Sequence, residues 1–130
     1  MVQSRSQKLK RLVDVQRHLE KMAEIDLAST TRQREEGAEI MEAVAAAINS
    51  LDPLHRSFSR HYSSQYSKLQ QQDQMLANVQ QMHEMRVVRE RTKADRMEDH
   101  MKDARNAEDR EAADTSIYDL IDQQIAYKDR

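Results

Sequence analysis

Apolar residues recur at helical spacing along most of the chain. In the first third, Leu9, Leu12, Leu19 and Met22 fall on one stripe, and Gly37, Met41, Val44, Ile48 and Leu51 follow with alternating steps of four and three. That alternation is the spacing of a coiled-coil seam and predicts a long helix from about residue 4 to 51. Between the two patches the seam positions are Asp26, Ser29 or Thr30, and Gln33, so weak packing is expected in the middle of this helix. A second run repeats the pattern with Leu54, Phe58, Tyr62, Gln65, Leu69, Gln72, Leu76, Val79 and His83. It then shifts by about one residue to Val87, Ala94, Met97, Met101 and Ala104, a slip that alters a supercoil locally.

The break between the runs is Asn49-Ser50-Leu51-Asp52-Pro53-Leu54. Asp52 suits the cap of a new helix and Pro53 its first position, which has no amide hydrogen to lose. So short a link returns the second helix alongside the first. The fold class is therefore all-α: two long helices in an antiparallel coiled-coil hairpin. The expected bounds make one elongated domain over 1–130, with helix one at about 4–51, the turn at 52–53 and helix two at about 54–113. At 1.5 Å per residue the helices span roughly 70 Å and 90 Å, so the second overhangs the first from about Lys102 onward. Folding about Asp52-Pro53 brings Ile48 towards Phe58, Val44 towards Tyr62, Gly37 towards Leu69, Met22 towards His83 and Leu12 towards Ala94.

The overhang is charged from Glu98 to Glu111. After Asp114-Thr115-Ser116, a cluster able to cap a helix, it becomes apolar at Ile117, Leu120, Ile121 and Ile125. These four lie on one face, predicting a short C-terminal amphipathic helix within about 114–130. Such a stripe suits docking into a partner's groove, a turn that folds back, or pairing with a second copy in a homodimer.

Composition sharpens this picture. The 130 residues include one Gly, one Pro, one Phe and no Trp, which removes turn punctuation and the bulk needed to fill a globular core. Charged residues make up 34% with a formal net charge of -2, disfavouring nucleic acid and anionic lipid as partners. No apolar run approaches the roughly 18 residues of a membrane span, and Met1 to Lys10 lacks the apolar centre of a secretory signal. With no Cys for disulfides or thiolate ligands, a cytoplasmic protein is expected. Charge is uneven along the chain. Arg5, Lys8, Lys10, Arg11 and Arg17 lie near the start, Arg86, Arg89, Arg91, Lys93 and Arg96 in the second helix, and acidic residues predominate beyond Glu98. The two basic segments meet in a hairpin and suit electrostatic docking on acidic protein loops, although solvated helix faces also carry such charges.

Catalytic chemistry is not indicated. The residues three before His18, His55, His61, His83 and His100 are Val15, Asp52, Phe58, Gln80 and Met97, so the Glu-x-x-His pattern of helical di-iron sites is missing and no metal or other cofactor is implied. Gly37 alone cannot make a phosphate loop. His83 falls on the apolar stripe, as a seam histidine or a group that charges between pH 5 and 8. Phe58, Tyr62 and Tyr66 form an aromatic group that fills core or anchors a partner, and Met75, Met82, Met85, Met97 and Met101 supply adaptable contacts.

The opening Lys8-Leu9-Lys10-Arg11-Leu12-Val13-Asp14-Val15-Gln16, the hairpin of this length and the Arg/Glu-rich second helix together resemble the FliJ/YscO family of type III export systems. The resemblance implies a non-enzymatic stalk that contacts the export ATPase ring, links it to the export gate, and escorts export chaperones, in the cytoplasm and peripheral to the inner membrane through those partners. The turn at Asp52-Pro53 is tighter and the C-terminal stripe stronger than in some members, so family contacts do not transfer residue by residue. Partner-binding positions are therefore read from the residues themselves: Arg86, Arg89, Arg91, Lys93 and Arg96 in the basic segment, and Ile117, Leu120, Ile121 and Ile125 in the stripe. A self-associating structural adaptor is the competing class, and a prefoldin-like chaperone hairpin a third.

Overall fold

A computed structural model describes residues 2–128. Residues 129 and 130, at the end of the segment expected over 114–130, lie outside the described residues. The described chain is all-α, with α1 at Arg5–Ile48, α2 at Pro53–Ser57 and α3 at Ser59–Lys128. Its residues group into two compact units: unit 1 comprises Met1–Leu19 and Glu90–Arg130, and unit 2 comprises Glu20–Arg89. In each unit a segment of α1 packs against a segment of α3.

In unit 1, α1 opens with a reciprocal capping box. The Ser4 amide donates to Gln7 Oε1 at 3.2 Å and the Gln7 amide to Ser4 Oγ at 3.3 Å. A further free amide of the first turn, that of Ser6, donates to Glu108 Oε1 of α3 at 3.0 Å. Further along, the Gln16 side-chain Nε2 donates to the Glu90 carboxylate and, at 3.2 Å, to the Glu90 backbone carbonyl. As the α1 numbers rise the α3 numbers fall, so the two segments run antiparallel. Val13, Ala94 and Met101 are the buried apolar residues between them.

In unit 2, α1 stops at Ile48 rather than Leu51, because the Ser50 amide turns back to the Ala47 carbonyl at 3.3 Å. Asp52 then caps α2, its carboxylate accepting from the Leu54 amide at 2.9 Å, with Pro53 in the first turn as the residues require. The expected continuous second helix is interrupted at Phe58, which caps α2 before α3 starts at Ser59. Beyond the turn Tyr62 gathers His55, Phe58 and His61 at ring-centroid distances of 6.0, 6.4 and 6.1 Å. Leu51, Leu54 and Phe58 are exposed and lie outside the packed seam. Gly37 and Leu69 line one cleft, as the fold-back about the turn anticipates.

The inner positions correct the expected register. Along α1 the buried and half-buried residues include Ser6, Leu9, Val13, Gln16, Glu20, Ala23, Leu27, Thr30, Arg34, Gly37, Met41, Val44 and Ile48. Along α3 they include Tyr62, Tyr66, Leu69, Asp73, Leu76, Gln80, His83, Val87, Glu90, Ala94, Met97, Met101, Ala104 and Glu108. Both series keep alternating three- and four-residue steps throughout, so the slip expected near Val87 does not occur. Leu12, Leu19 and Met22 are 50%, 37% and 44% exposed, while their neighbours Val13 and Ala23 are 7% and 0% exposed. The more polar row is inside because Ser6, Gln16 and Arg34 have partners across the seam and the Thr30 hydroxyl donates to the Asp26 carbonyl of its own helix. Gln65, Gln72 and Val79 likewise yield to Tyr66, Asp73 and Gln80.

Two further expectations change. Cover on α3 extends past Lys102 to Glu108, which reaches the first turn of α1. Asp114-Thr115-Ser116 starts no new helix: the Thr115 hydroxyl donates to the Glu111 carbonyl one turn back at 2.9 Å and α3 runs on to Lys128. The C-terminal stripe is therefore the end of α3 and not a separate helix.

Candidate protein-docking surfaces

Polar pairs inside the seam explain how the chain can leave large apolar side chains outside it. In unit 1, Ser6 pairs with Glu108 and Gln16 with Glu90. The Glu108 carboxyl is held below its ordinary range first by the Ser6 hydroxyl and then by the Ser6 amide. In unit 2, Arg34 Nε meets Asp73 at 3.0 Å and its Nη1 meets Gln80 at 2.8 Å. The hydrogen bond from Arg34 lowers the pKa of Asp73, and the same bond raises that of the guanidinium. Such layers contribute little net energy but oppose other registers, since a shift would strand their donors and acceptors.

The residue before an inner position and the residue after it emerge on opposite sides of an antiparallel pair, each meeting its counterpart from the other helix. In unit 1, Arg17 follows Gln16 and Glu98 follows Met97, and the two bond at 2.6 Å on one side. The other side carries the residues that precede the inner positions. From α1 these are Leu12, Val15 and Leu19, with Arg5 and Lys8 towards the start; from α3 they include Lys93 and Arg96. Val15 is 60% exposed. Unit 1 therefore has a flank with an apolar row on α1 and, on α3, a row that is basic at Lys93 and Arg96 and continues through His100, Asp103 and Ala107.

The expected basic positions are distributed between the units. In unit 2, Arg86 is engaged by Asp26 at 3.0 Å, and Arg89 lines a shallow cavity of about 390 Å³ with Met85 and Val88. In unit 1, Lys93 approaches Glu90 at 3.8 Å, Arg96 is exposed, and Arg91 is exposed but has an interaction partner. The four residues of the stripe, Ile117, Leu120, Ile121 and Ile125, are all exposed, as is every described residue of α3 from Asp109 onward.

Within unit 2 an open groove of about 550 Å³ is lined by Arg34, Asp73, Gln80, Met41 and Tyr66 among others. Of its charged groups, Arg34 and Asp73 are paired with each other, and Glu35 and Glu42 also line it. No cluster of three or more His, Asp or Glu side chains suited to a metal occurs among the described residues, and no described helix is long and apolar enough to cross a membrane. The outward Leu12-Val15-Leu19 row was missed in the sequence because the most hydrophobic row was assigned to the seam. The signal that identifies it is the unbroken three-four spacing of Leu9, Val13, Gln16, Glu20, Ala23 and Leu27. Comparison with protein-family models, curated proteins and solved structures finds no match to this chain.

Proposed function

We propose that this chain is a non-enzymatic coiled-coil hairpin that holds other proteins, and that it serves a type III export apparatus as a cytoplasmic stalk between the export ATPase ring and the export gate or its chaperones. The observation that carries the holding role is the outward placement of Leu12, Val15 and Leu19 beside Lys93 and Arg96. Leu12 and Val15 leave half or more of their surface uncovered, although full burial of such a side chain is worth about 1.5–3 kcal/mol. Apolar anchors rimmed by basic side chains suit a partner whose contact helix is apolar with acidic edges. The export setting rests on the resemblance of the Lys8–Gln16 opening and the charged α3 to the FliJ/YscO family.

The test is binding to the export ATPase ring of the same organism. Lys93→Glu with Arg96→Glu abolishes ring binding or ATPase stimulation while helicity stays intact; unchanged binding rejects this face as the docking element. A second reading, a self-associating adaptor, is favoured by the exposed Ile117, Leu120, Ile121 and Ile125. On that reading Leu120→Asp with Ile121→Asp converts an oligomer to monomer, and an unchanged mass rejects it.

A further inference from the structure

The bare end of α3 and the flank of unit 1 have complementary chemistry and are carried on one face of the same helix. Continuing the three-four frame of α3 past Glu108 puts inner positions at Glu111, Thr115, Tyr118, Asp122 and Ile125. Ile117 and Ile121 then precede inner positions, as Lys93 and Arg96 do. Ile117 and Ile121 thus continue the flank face and not the seam, whereas Ile125 takes an inner position and Leu120 lies on the side away from the seam. Its charged neighbours are mostly acidic, with Asp109, Glu111, Asp114, Asp119 and Asp122 against Arg110 and Lys128. The flank it resembles in position is mostly basic, with Arg5, Lys8, Lys93 and Arg96 against Asp103 around Leu12, Val15 and Leu19.

We propose that the acidic-apolar C-terminal end of α3 docks on the basic-apolar flank of unit 1 of a second copy, reciprocally, in a two-fold dimer. Two α3 helices laid antiparallel with their shared face inward bring residue 121 of each level with residue 93 of the other when the two-fold axis passes near residue 107. The tip then runs parallel to α1 of the partner copy, and the four-residue step from Ile117 to Ile121 equals that from Val15 to Leu19. Ile117 and Ile121 of the tip meet an apolar row with lysine and arginine beside it, and the two-fold operation repeats the contact. This rests on the self-association reading, and it makes the flank a surface for which a second copy competes with any other acidic-apolar partner.

The test is mass by light scattering, with two variants and their mixture. The flank variant carries Leu12→Glu and Leu19→Glu; the tip variant carries Ile117→Lys and Ile121→Lys. All four positions are exposed, and circular dichroism checks that helicity is kept. The expected result is a wild-type dimer, two monomeric variants, and a restored dimer in the equimolar mixture, where the tip of the flank variant meets the flank of the tip variant. A wild-type monomer overturns both this proposal and self-association. A dimer lost only in the tip variant means that tips meet tips, one lost only in the flank variant means that flanks meet flanks, and two monomeric variants that fail to complement, or a dimer kept in both, means that tip and flank do not meet; each overturns the docking mode and leaves self-association standing.

Discussion

Within unit 1, α3 has two stretches of similar length and opposite design. From Glu90 to Glu108 it presents to α1 a seam containing two carboxylates, one alanine with no exposed surface and two methionines, and the carboxylates are matched to Gln16 and Ser6. From Asp109 to Lys128 every described residue is exposed, yet this is where the isoleucines of α3 are. The difference teaches that hydrophobicity and intramolecular burial are decoupled in this chain. The covered stretch uses polar pairing to fix which residues face each other, and the bare stretch keeps its apolar side chains for another surface.

That contrast can be broken most forcefully with one charge in each stretch. Ala94→Glu forces bulk and an unpaired carboxylate into a closed position and should destabilise the fold by more than about 1–3 kcal/mol, the cost of overpacking alone. Ile121→Glu should leave the denaturation midpoint of the dilute protein unchanged. Equal losses in urea melts would contradict the division into a packed and a bare stretch.

The polar pairing itself is sharpened by comparing a single with a double substitution. Glu90→Ala leaves the Gln16 amide without its carboxylate and should cost about 1–3 kcal/mol. Gln16→Leu together with Glu90→Leu should recover most of that loss, because two apolar groups replace both partners. A double variant as unstable as the single one would show that the pair does more than exclude other registers.

A smaller effect is expected at Gly37, where an added Cβ would have no heavy atom within 4 Å. Gly37→Ala should stabilise unit 2 by about 0.5–1 kcal/mol through lower backbone entropy in the unfolded chain. A lower melting temperature would indicate a neighbour closer than the geometry allows.

The smallest effect concerns acid. Because the Glu108 carboxyl is lowered by its bonds to Ser6, its contribution to holding the start of α1 is complete above the ordinary value of 4.5 and is lost as pH falls through the lowered folded-state value. Amide exchange at Ser6 to Lys8, referred to the exchange rates of unstructured peptide at each pH, should show reduced protection in that range. Glu108→Gln should flatten the dependence.

Much of the architecture was legible in the residues. The all-α class, the capping of α2 by Asp52, Pro53 in its first turn and the fold-back that brings Gly37 and Leu69 to one cleft follow from local chemistry. The register over the first half of α1 was not, because Leu12, Leu19 and Met22 offer more apolar surface than Val13, Gln16 and Ala23, and burial favours the former when each helix is read alone. Only the partner helix shows that Gln16 has Glu90 to receive it. The end of the cover was misjudged for a related reason: Glu108 reads as a solvated charge until the free amide of Ser6 is placed beside it. The exposed Ile117 to Ile125 stripe was legible as apolar and helical, but Thr115 gave no sign that its hydroxyl bonds back to its own helix and lets α3 continue.

The most direct measurement uses the absence of cysteine in the sequence, which lets one introduced thiol report one position. Leu12→Cys and Val13→Cys are compared for their rate of reaction with a maleimide in dilute protein. The account predicts that the thiol at position 12 reacts close to the rate of an unstructured peptide, while that at position 13 is slowed by the α3 packed over it. A fast thiol at 13 and a slow one at 12 would put the leucine row in the seam and contradict the claim that this chain pairs its polar row within and turns its apolar row outward.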